Sequence, residues 1–450
     1  MHGLPTSSFG VKEARNMSKG KFISVEEALS LIKSGDHIVS GLGGAEPKLL
    51  MESLHKVSSE VKDIHVMTCL PMGVYPYYNE PKYRENFLME GWFYSVAMRK
   101  VHKDQTVTFI PNHLHFAAKK RIDYKKPNIY VGNCSPIDKH GYVSLGLSAV
   151  YEREMIELAD IVILEVNPNV PRTFGDTLLH SSNVDYFIQT NYDMPQLGIS
   201  EPNEKDKKIG AYIAEYIEDG STIQLGIGGI PNAVAQALMS KKDLGIHTEM
   251  FTDGMVDLVK AGAVTNARKT LHPDKMVAAF ALGTQKLYDF IDDNPAVAIM
   301  RGAYVNDPYV IGKNYKMVSI NTSVEIDLTG QCCSESIGSK QISGTGGQAD
   351  TAIGAQNAEN GMSFIALYST AMVKDPLTGE VVEKSKIVPQ LALGAVVSLS
   401  RNDVDFVVTE YGVAALRGTS IRERVKRLIE IAHPDFRADL QSEANALMLW

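Results

Sequence analysis

Short apolar runs alternate with amphipathic stretches along most of this chain. Ser24–Lys33 reads as a helix, with Ser24 opening it and Glu27 three residues later in the spacing of a capping box. Ser34, Gly35 and Asp36 make a turn, His37–Ser40 a short apolar strand, and GLGGAEP (Gly41–Pro47) a glycine loop. Lys48–Val57 is a second amphipathic helix, and Ile64–Thr68 is again strand-like. Strands followed by helices over short connections argue for a parallel α/β sheet.

The rhythm recurs. Ile32–Leu54 can be laid over Ile217–Leu238 with Gly35 on Gly220, Gly41 on Gly226, Gly43 on Gly228 and Gly44 on Gly229. DIHVMT (Asp63–Thr68) resembles GIHTEM (Gly245–Met250), and ADIVILEVN (Ala159–Asn167) resembles VDFVVTEYG (Val404–Gly412). Three matches in the same order imply a duplicated domain. Asn191–Lys208 is polar, holds two prolines and runs into charge, as a linker would. The expected division is an N-terminal α/β domain over 20–195 and a C-terminal one over 205–450. The last helix is expected at Thr419–Ala432, with Glu423 and Arg427 paired on a solvated face.

Composition narrows the function. With 450 residues, 44% hydrophobic and 22% charged, the chain is globular and can bury large cores without a disulfide or metal staple. A net charge of −8 offers no basic excess for nucleic acid or an anionic membrane. Cys69, Cys134, Cys332 and Cys333 form no CxxC pair, which suits reduced thiols in a cytoplasm and neither a disulfide framework nor a zinc site. No apolar run is long enough for a transmembrane helix. Residues 1–20 lack the apolar core of a signal peptide and read as a loose tail.

Several segments could carry chemistry. The loops GLGG and GIGG each sit between a strand and a helix, where backbone amides and the helix dipole favour an anion. Each is either a tight turn or an anion contact, and the contact is more plausible at Gly226–Ile230. Neither completes GxGxxG or a Walker loop. Glu249 lies in or just after a strand, where a carboxylate is costly to bury unless it is paired or used. At the carboxyl edge of an open sheet it would face the ligand crevice, as base, metal ligand or nucleophile, or else as a satisfied structural group. SGTGGQAD (Ser343–Asp350) offers exposed amides for an oxyanion. Lys374 follows the strand Phe364–Thr370 and could meet a phosphate. Asn321, expected to interrupt its strand at a turn, could hold a carbonyl or simply bond its own backbone. Glu410 ends a strand that could line the same crevice. His113 and His115 make a weak metal pair, and His247 has a mirror in His65. No GxSxG elbow is present.

Together these residues resemble the acetyl-CoA hydrolase/transferase family of class I CoA-transferases, and within it the 4-hydroxybutyrate branch. The likeness rests on GIGGIPNAV (Gly226–Val234), GIHTEMFTDGM (Gly245–Met255), Thr265–Pro295, INTSVEIDLTGQ (Ile320–Gln331), SGTGGQAD and TEYGVAALRG (Thr409–Gly418). GLGGAEP and NCSPIDKHGYVSLG (Asn133–Gly146) extend it into the N-terminal half, so that it spans about 20–440. The resemblance implies two similar open α/β domains of the ribose-phosphate-isomerase-like type, with CoA as a substrate between them and no metal or nucleotide cofactor. It implies that Glu249 is the nucleophile and that Asn321 and the amides of Gly346 and Gly347 hold the thioester oxygen. CoA contacts would fall to Gly226, Ile227, Gly228, Gly229, Ile230, Gly347, Asp350 and Lys374, with Glu410 near the pantetheine end. The reaction would move CoA between acetate- to butyrate-sized acids and 4-hydroxybutyrate, by ping-pong kinetics through a glutamyl-CoA thioester. An acyl-CoA hydrolase on the same scaffold, or a sensor of CoA or sugar phosphate, are the alternatives. The wider class often carries SENG before the glycine loop, whereas this chain has CCSESIG (Cys332–Gly338), which makes Glu335 the alternative nucleophile. The acid pocket is expected near Met72, Tyr75, Pro111 and His115. A homodimer or dimer of dimers is the family expectation.

Overall fold

The computed structural model describes residues 20–198, 200–374 and 378–450, so the expected tail, apart from Gly20, lies outside the described residues. The capping box at Ser24 forms, with reciprocal bonds to Glu27, and starts the helix Val25–Leu29. Strands His37–Ser40 and Ile64–Thr68 occupy their predicted residues. The helix expected to be the last runs Ile421–Glu430, but a further helix, Arg437–Ala446, follows it.

Two large sheets organise the chain. The first has eight strands, in the order Lys21–Phe22, Tyr186–Gln189, Ile161–Val166, Ile129–Cys134, His37–Ser40, Ile64–Thr68, Phe87–Gly91 and Val107–Phe109. All its pairings are parallel. The second has nine, in the order Gly412–Ala415, Phe406–Thr409, Met362–Ala366, Met317–Thr322, Thr222–Leu225, Gly245–Phe251, Met276–Ala281, Val297–Ile299 and Phe174–Gly175. Only Phe406–Thr409 with Gly412–Ala415 is antiparallel. Strands buried on both faces read as continuous apolar runs, as MVAAFA (Met276–Ala281) does.

The two sheets repeat one strand order, and this corrects the third sequence match. Counting outward from the strand before each glycine loop, Ile161–Val166 is the counterpart of Met362–Ala366, not of Phe406–Thr409. Register corrects the second match as well. His37 pairs with His65, and Thr222 with Gly245. With His37 on Thr222, as the glycine loops require, Cys69 falls on Glu249, and His65 on Gly245 rather than His247. Apolar alternation alone could not fix a two-residue slip between strands buried on both faces.

The halves are fused. Strand Phe174–Gly175, from the N-terminal stretch, closes the edge of the second sheet. One apolar cluster joins Trp92, Tyr130 and Tyr151 to Val277, Phe280 and Val305. Each large side chain buried there contributes about 1.5–3 kcal/mol, so the seam is as firm as a domain core.

Candidate active site

Glu249 sits near the carboxyl end of strand Gly245–Phe251, at the seam. A crevice of about 340 Å³ opens over it. The N-terminal half contributes Leu42, Cys69, Trp92, Phe93 and Leu114, and the C-terminal half Gly226, Ile227, Asn321, Gly346 and Gly347. A second cavity of similar volume continues past Ile227 and Met250 along Gly228 and Asn232.

The Glu249 carboxylate is partly buried and held from two sides. Asn306, which ends the short helix Gly302–Val305, donates its Nδ2 to Oε2 at 2.7 Å. The Gly347 amide donates as well. A Cβ at residue 347 would lie 1.8 Å from Oε2, so only glycine allows the loop this close. Burial pushes the Glu249 pKa up to about 7, and the nearby Asp350 charge adds to the shift, while the bonds from Asn306 and Gly347 pull it back. Glu249 therefore combines restrained geometry with a raised basicity, and both suit a nucleophile.

The glycine loop is fixed from the other half. Leu114 N–H donates to the Gly346 carbonyl at 3.1 Å. His115 places its backbone N–H 3.2 Å and its Nδ1 2.7 Å from the Asp350 carboxylate, which is buried in the first turn of helix Gln348–Asn357. His115 thus ties the two halves together behind Glu249. His247 is buried, its Nε2 facing the Val305 carbonyl at 2.9 Å, with its pKa lowered to about 3, mainly by burial. It supports the strand as a neutral group.

The predicted site residues divide. Glu249, Gly226, Ile227, Asn321, Gly346 and Gly347 share the crevice, and Gly228 lines the cavity beyond it. Gly229 starts the helix Gly229–Ala237, and Ile230 is buried within it. Asn321 is in strand Met317–Thr322 rather than at a turn. Its Nδ2 is shared among Gln224, Ser319 and Thr351, 3.0–3.2 Å away, so bonding a ligand requires it to release one of them. Lys374 is exposed on the hairpin of Thr370–Lys374 with Val381–Ser385, away from the crevice lining. Glu410 also lies outside that lining, accepting from Ser369 N–H and Oγ and pairing with Lys205 at 3.1 Å. Glu335 is buried beneath the glycine loop, where it accepts from Ser398, Thr345 and Gln341. That role leaves it outside the crevice lining. Tyr75 turns away from the expected acid pocket to Glu46, and the wall is built instead by Leu70, Trp92, Arg99 and Asn112. Asn306 carried no signal in its segment and emerges only from the fold.

Among the described residues one cluster has metal-ligand chemistry, His37, His65 and Glu90. Arg121 occupies it, with Nη2 2.8 Å from His37 Nδ1 and 3.3 Å from Glu90, and a guanidinium in that position repels a cation.

A strand-end carboxylate is thus pinned against an amide-rich loop at the seam of the two sheets. Comparison with known proteins gives the family. The acetyl-CoA hydrolase/transferase N-terminal domain model matches residues 10–196, and the C-terminal domain model matches 283–444. A succinyl-CoA:cyclohexane-1-carboxylate CoA transferase of Geobacter metallireducens is 43% identical over 95% of this chain and 95% of its own. A 4-hydroxybutyrate coenzyme A transferase of Clostridium kluyveri is 43% identical over 96% of this chain and 99% of its own. The solved 4-hydroxybutyrate CoA-transferase of Porphyromonas gingivalis superposes with a TM-score of 0.79 at 34% identity, covering 95% of this chain and 98% of its own. The chain belongs to the acetyl-CoA hydrolase/transferase family and is a CoA-transferase. No helix among the described residues is long and apolar enough to cross a membrane.

Proposed function

We propose that this enzyme moves CoA between acetate- to butyrate-sized acids and 4-hydroxybutyrate through a covalent Glu249 intermediate. The observation that carries this reading is the Glu249 carboxylate, held by Asn306 and the Gly347 amide on the floor of the crevice. Glu249 attacks the acyl-CoA carbonyl, and CoA leaves as a thiolate, giving an acyl-glutamyl anhydride. The thiolate attacks the glutamyl carbonyl, forming a glutamyl-CoA thioester and releasing the first acid. The second acid reverses these steps, so the kinetics are ping-pong. Amides of Gly346 and Gly347 stabilise the oxyanions, each donor supplying about 3–4 kcal/mol. The open loop Gly226–Gly228, where the helix Gly229–Ala237 begins, contacts CoA, and binding energy gained far from the reacting carbon lowers the barrier at Glu249. Each half-reaction exchanges one acyl bond for another, so neither ATP nor a metal is needed. The family resemblance carries the rest of the reading: a cytoplasmic homodimer or dimer of dimers.

Incubation with butyryl-CoA followed by sodium borohydride tests it. Borohydride reduces a glutamyl thioester to an alcohol, and peptide mass mapping then finds one altered glutamate. Alteration at Glu249 is the expected result. Alteration at Glu335 would move the nucleophile. No altered glutamate despite CoA binding would end the covalent reading, and steady release of free CoA without an acceptor acid would favour hydrolysis.

A further inference from the structure

One aromatic ring stands beside Glu249 with no polar atom to offer the reaction. Phe93 lines the crevice, half-buried, and packs against the apolar cluster at the seam. It follows strand Phe87–Gly91, and its carbonyl accepts from Leu70 N–H at 3.2 Å, which fixes its backbone. The glycine loop is shaped to meet it. A Cβ at residue 344 would lie 2.3 Å from the Trp92 carbonyl oxygen and 2.9 Å from Phe93 Cα, so only glycine lets the loop approach. A Cβ at residue 346 would lie 3.5 Å from the Phe93 ring and 3.9 Å from Glu249 Oε1, so ring and carboxylate flank one point of the loop. Register adds a counterpart. Thr68 pairs with Gly91, and Thr248 with Ala278. With Cys69 on Glu249, Phe93 falls on Phe280, which also lines the crevice. Each half thus sets a phenylalanine on the strand next to Cys69 or Glu249.

Transfer chemistry needs such a surface. A glutamyl-CoA thioester must survive while the first acid leaves and the second enters, with the acid side of the crevice open to solvent. Water arriving in that interval would bond its oxygen to the glutamyl carbon, and the C–S bond would break. CoA would leave as the thiol with one proton, the other proton would go to solvent, and Glu249 would return as a carboxylate. Keeping water from a reactive intermediate is work for apolar walls. On the side of Ile227 and Gly228 the CoA chain itself would fill the space. On the N-terminal side Phe93 covers the loop beside Glu249. Burial also dominates the upward shift of the Glu249 pKa, the mark of a carboxylate that water reaches poorly. We propose that Phe93, with Phe280 as its counterpart, shields the Glu249 thioester from water and so sets the balance between transfer and hydrolysis. This inference rests on the covalent reading of Glu249 and names the residue that keeps the enzyme from being a hydrolase.

The lifetime of the intermediate tests it. The full chain is incubated with acetyl-CoA, freed of small molecules by gel filtration, and sampled over time with borohydride and peptide mapping. In Phe93→Ala the thioester should decay faster by on the order of 10- to 100-fold, while label exchange between acetate and acetyl-CoA keeps at least about a tenth of the wild-type rate. In heavy-oxygen water the decay should leave label in the Glu249 peptide, because water supplies one carboxylate oxygen. Phe93→Leu stays apolar and loses only part of the cover, so its lifetime should fall between the two. It keeps the test open if Phe93→Ala fails to fold. A trappable wild type with an unchanged lifetime in both variants would overturn the shield and leave the covalent reading standing. Loss of exchange with no change in lifetime would overturn it too, and would make Phe93 a support for the glycine loop alone. A wild type that transfers CoA but yields no trappable thioester would remove the covalent reading itself, and the shield with it.

Discussion

The two glycine loops begin alike and end in opposite states. In the N-terminal half, every residue of Gly41–Pro47 is buried. Leu42 N–H donates to Glu152, and Gly43 N–H to the Cys69 carbonyl. The helix that follows, Lys48–Ser53, has its first amides taken by Glu165, which accepts from Leu49 and Leu50 at 3.2 and 2.6 Å and from the Tyr192 hydroxyl at 2.7 Å. In the C-terminal half, Ile227 is 43% exposed, Gly228 is exposed, and the helix Gly229–Ala237 starts in the loop with no side-chain cap. By register, the counterpart of Glu165 is Ala366: Asn133 pairs with Glu165 as Thr322 pairs with Ala366. One half has internalised the anion that its helix end attracts, and the other leaves the place open. The residue that decides between them lies on a distant strand, beyond the reach of any motif around the loop.

The sharpest break in the symmetry is at Cys69 and Glu249, counterparts by register, Cys69 just past strand Ile64–Thr68 and Glu249 within strand Gly245–Phe251, and both line the crevice. Glu249→Gln keeps the shape and removes the nucleophile. Its kcat should fall by at least ~10⁴-fold with a native circular dichroism spectrum, measured by label exchange between acetate and acetyl-CoA. Cys69 is buried and its thiol is held well above its ordinary pKa, chiefly by burial. Cys69→Ala should cost less than about tenfold. Comparable losses at both positions would mean that the halves share the chemistry, against the comparison.

Much of this asymmetry was legible beforehand, and the illegible part has a common cause. Strand–loop–helix rhythm, the Glu249 strand and the SGTGG loop show in local sequence because each is a contiguous pattern. Asn306, His115 and Glu165 act across the fold, on partners 57, 235 and 115 residues away. The expected mirror of Glu165 at Glu410 failed for the same reason: apolar strands look alike, and only the ladder assigns them. Lys374 was expected near a phosphate from its position after a strand, but it lies on an exposed hairpin.

Ala366→Glu would rebuild the N-terminal arrangement in the C-terminal half. Ala366 is buried beside Thr322, and a glutamate there would compete for the same helix end that an incoming anion needs. The KM for acetyl-CoA should rise about 10- to 100-fold, more than kcat falls, in steady-state kinetics on protein with a near-native circular dichroism spectrum. An unchanged KM would show that CoA is gripped elsewhere. The reverse change, Glu165→Ala, strands the amides of Leu49 and Leu50. It should cost about 2–4 kcal/mol by urea denaturation while leaving the acetyl-CoA KM within about threefold. A larger kinetic effect would make the filled loop part of the catalytic machinery.

The finest distinction is electrostatic. Both halves bury carboxylates near their loops, and burial pushes Glu46, Glu165 and Glu249 each up to about 7. Only Glu249 must ionise to react, so it alone should appear in the rate profile. A protonated Glu249 cannot attack, so kcat/KM should fall about tenfold per pH unit below an apparent pKa near 7 and level off above it. Asp350→Asn removes a like charge and should move that inflection down; Asn306→Ala removes a donor to the charged form and should move it up, each by about half to one unit. The stability profile carries the same sign. With its pKa raised above the unfolded value of 4.5, Glu249 binds its proton more tightly in the native state. Its contribution is therefore complete below pH 4.5 and lost as pH rises through about 7. Glu249→Gln, uncharged throughout, should become more stable relative to wild type across that window. If the inflection stayed in place in both Asp350→Asn and Asn306→Ala, the rate would be reporting some other group. Glu46 and Glu165 would then be the first to substitute, since either appearing in the profile would mean that the filled loop had kept a part in the chemistry.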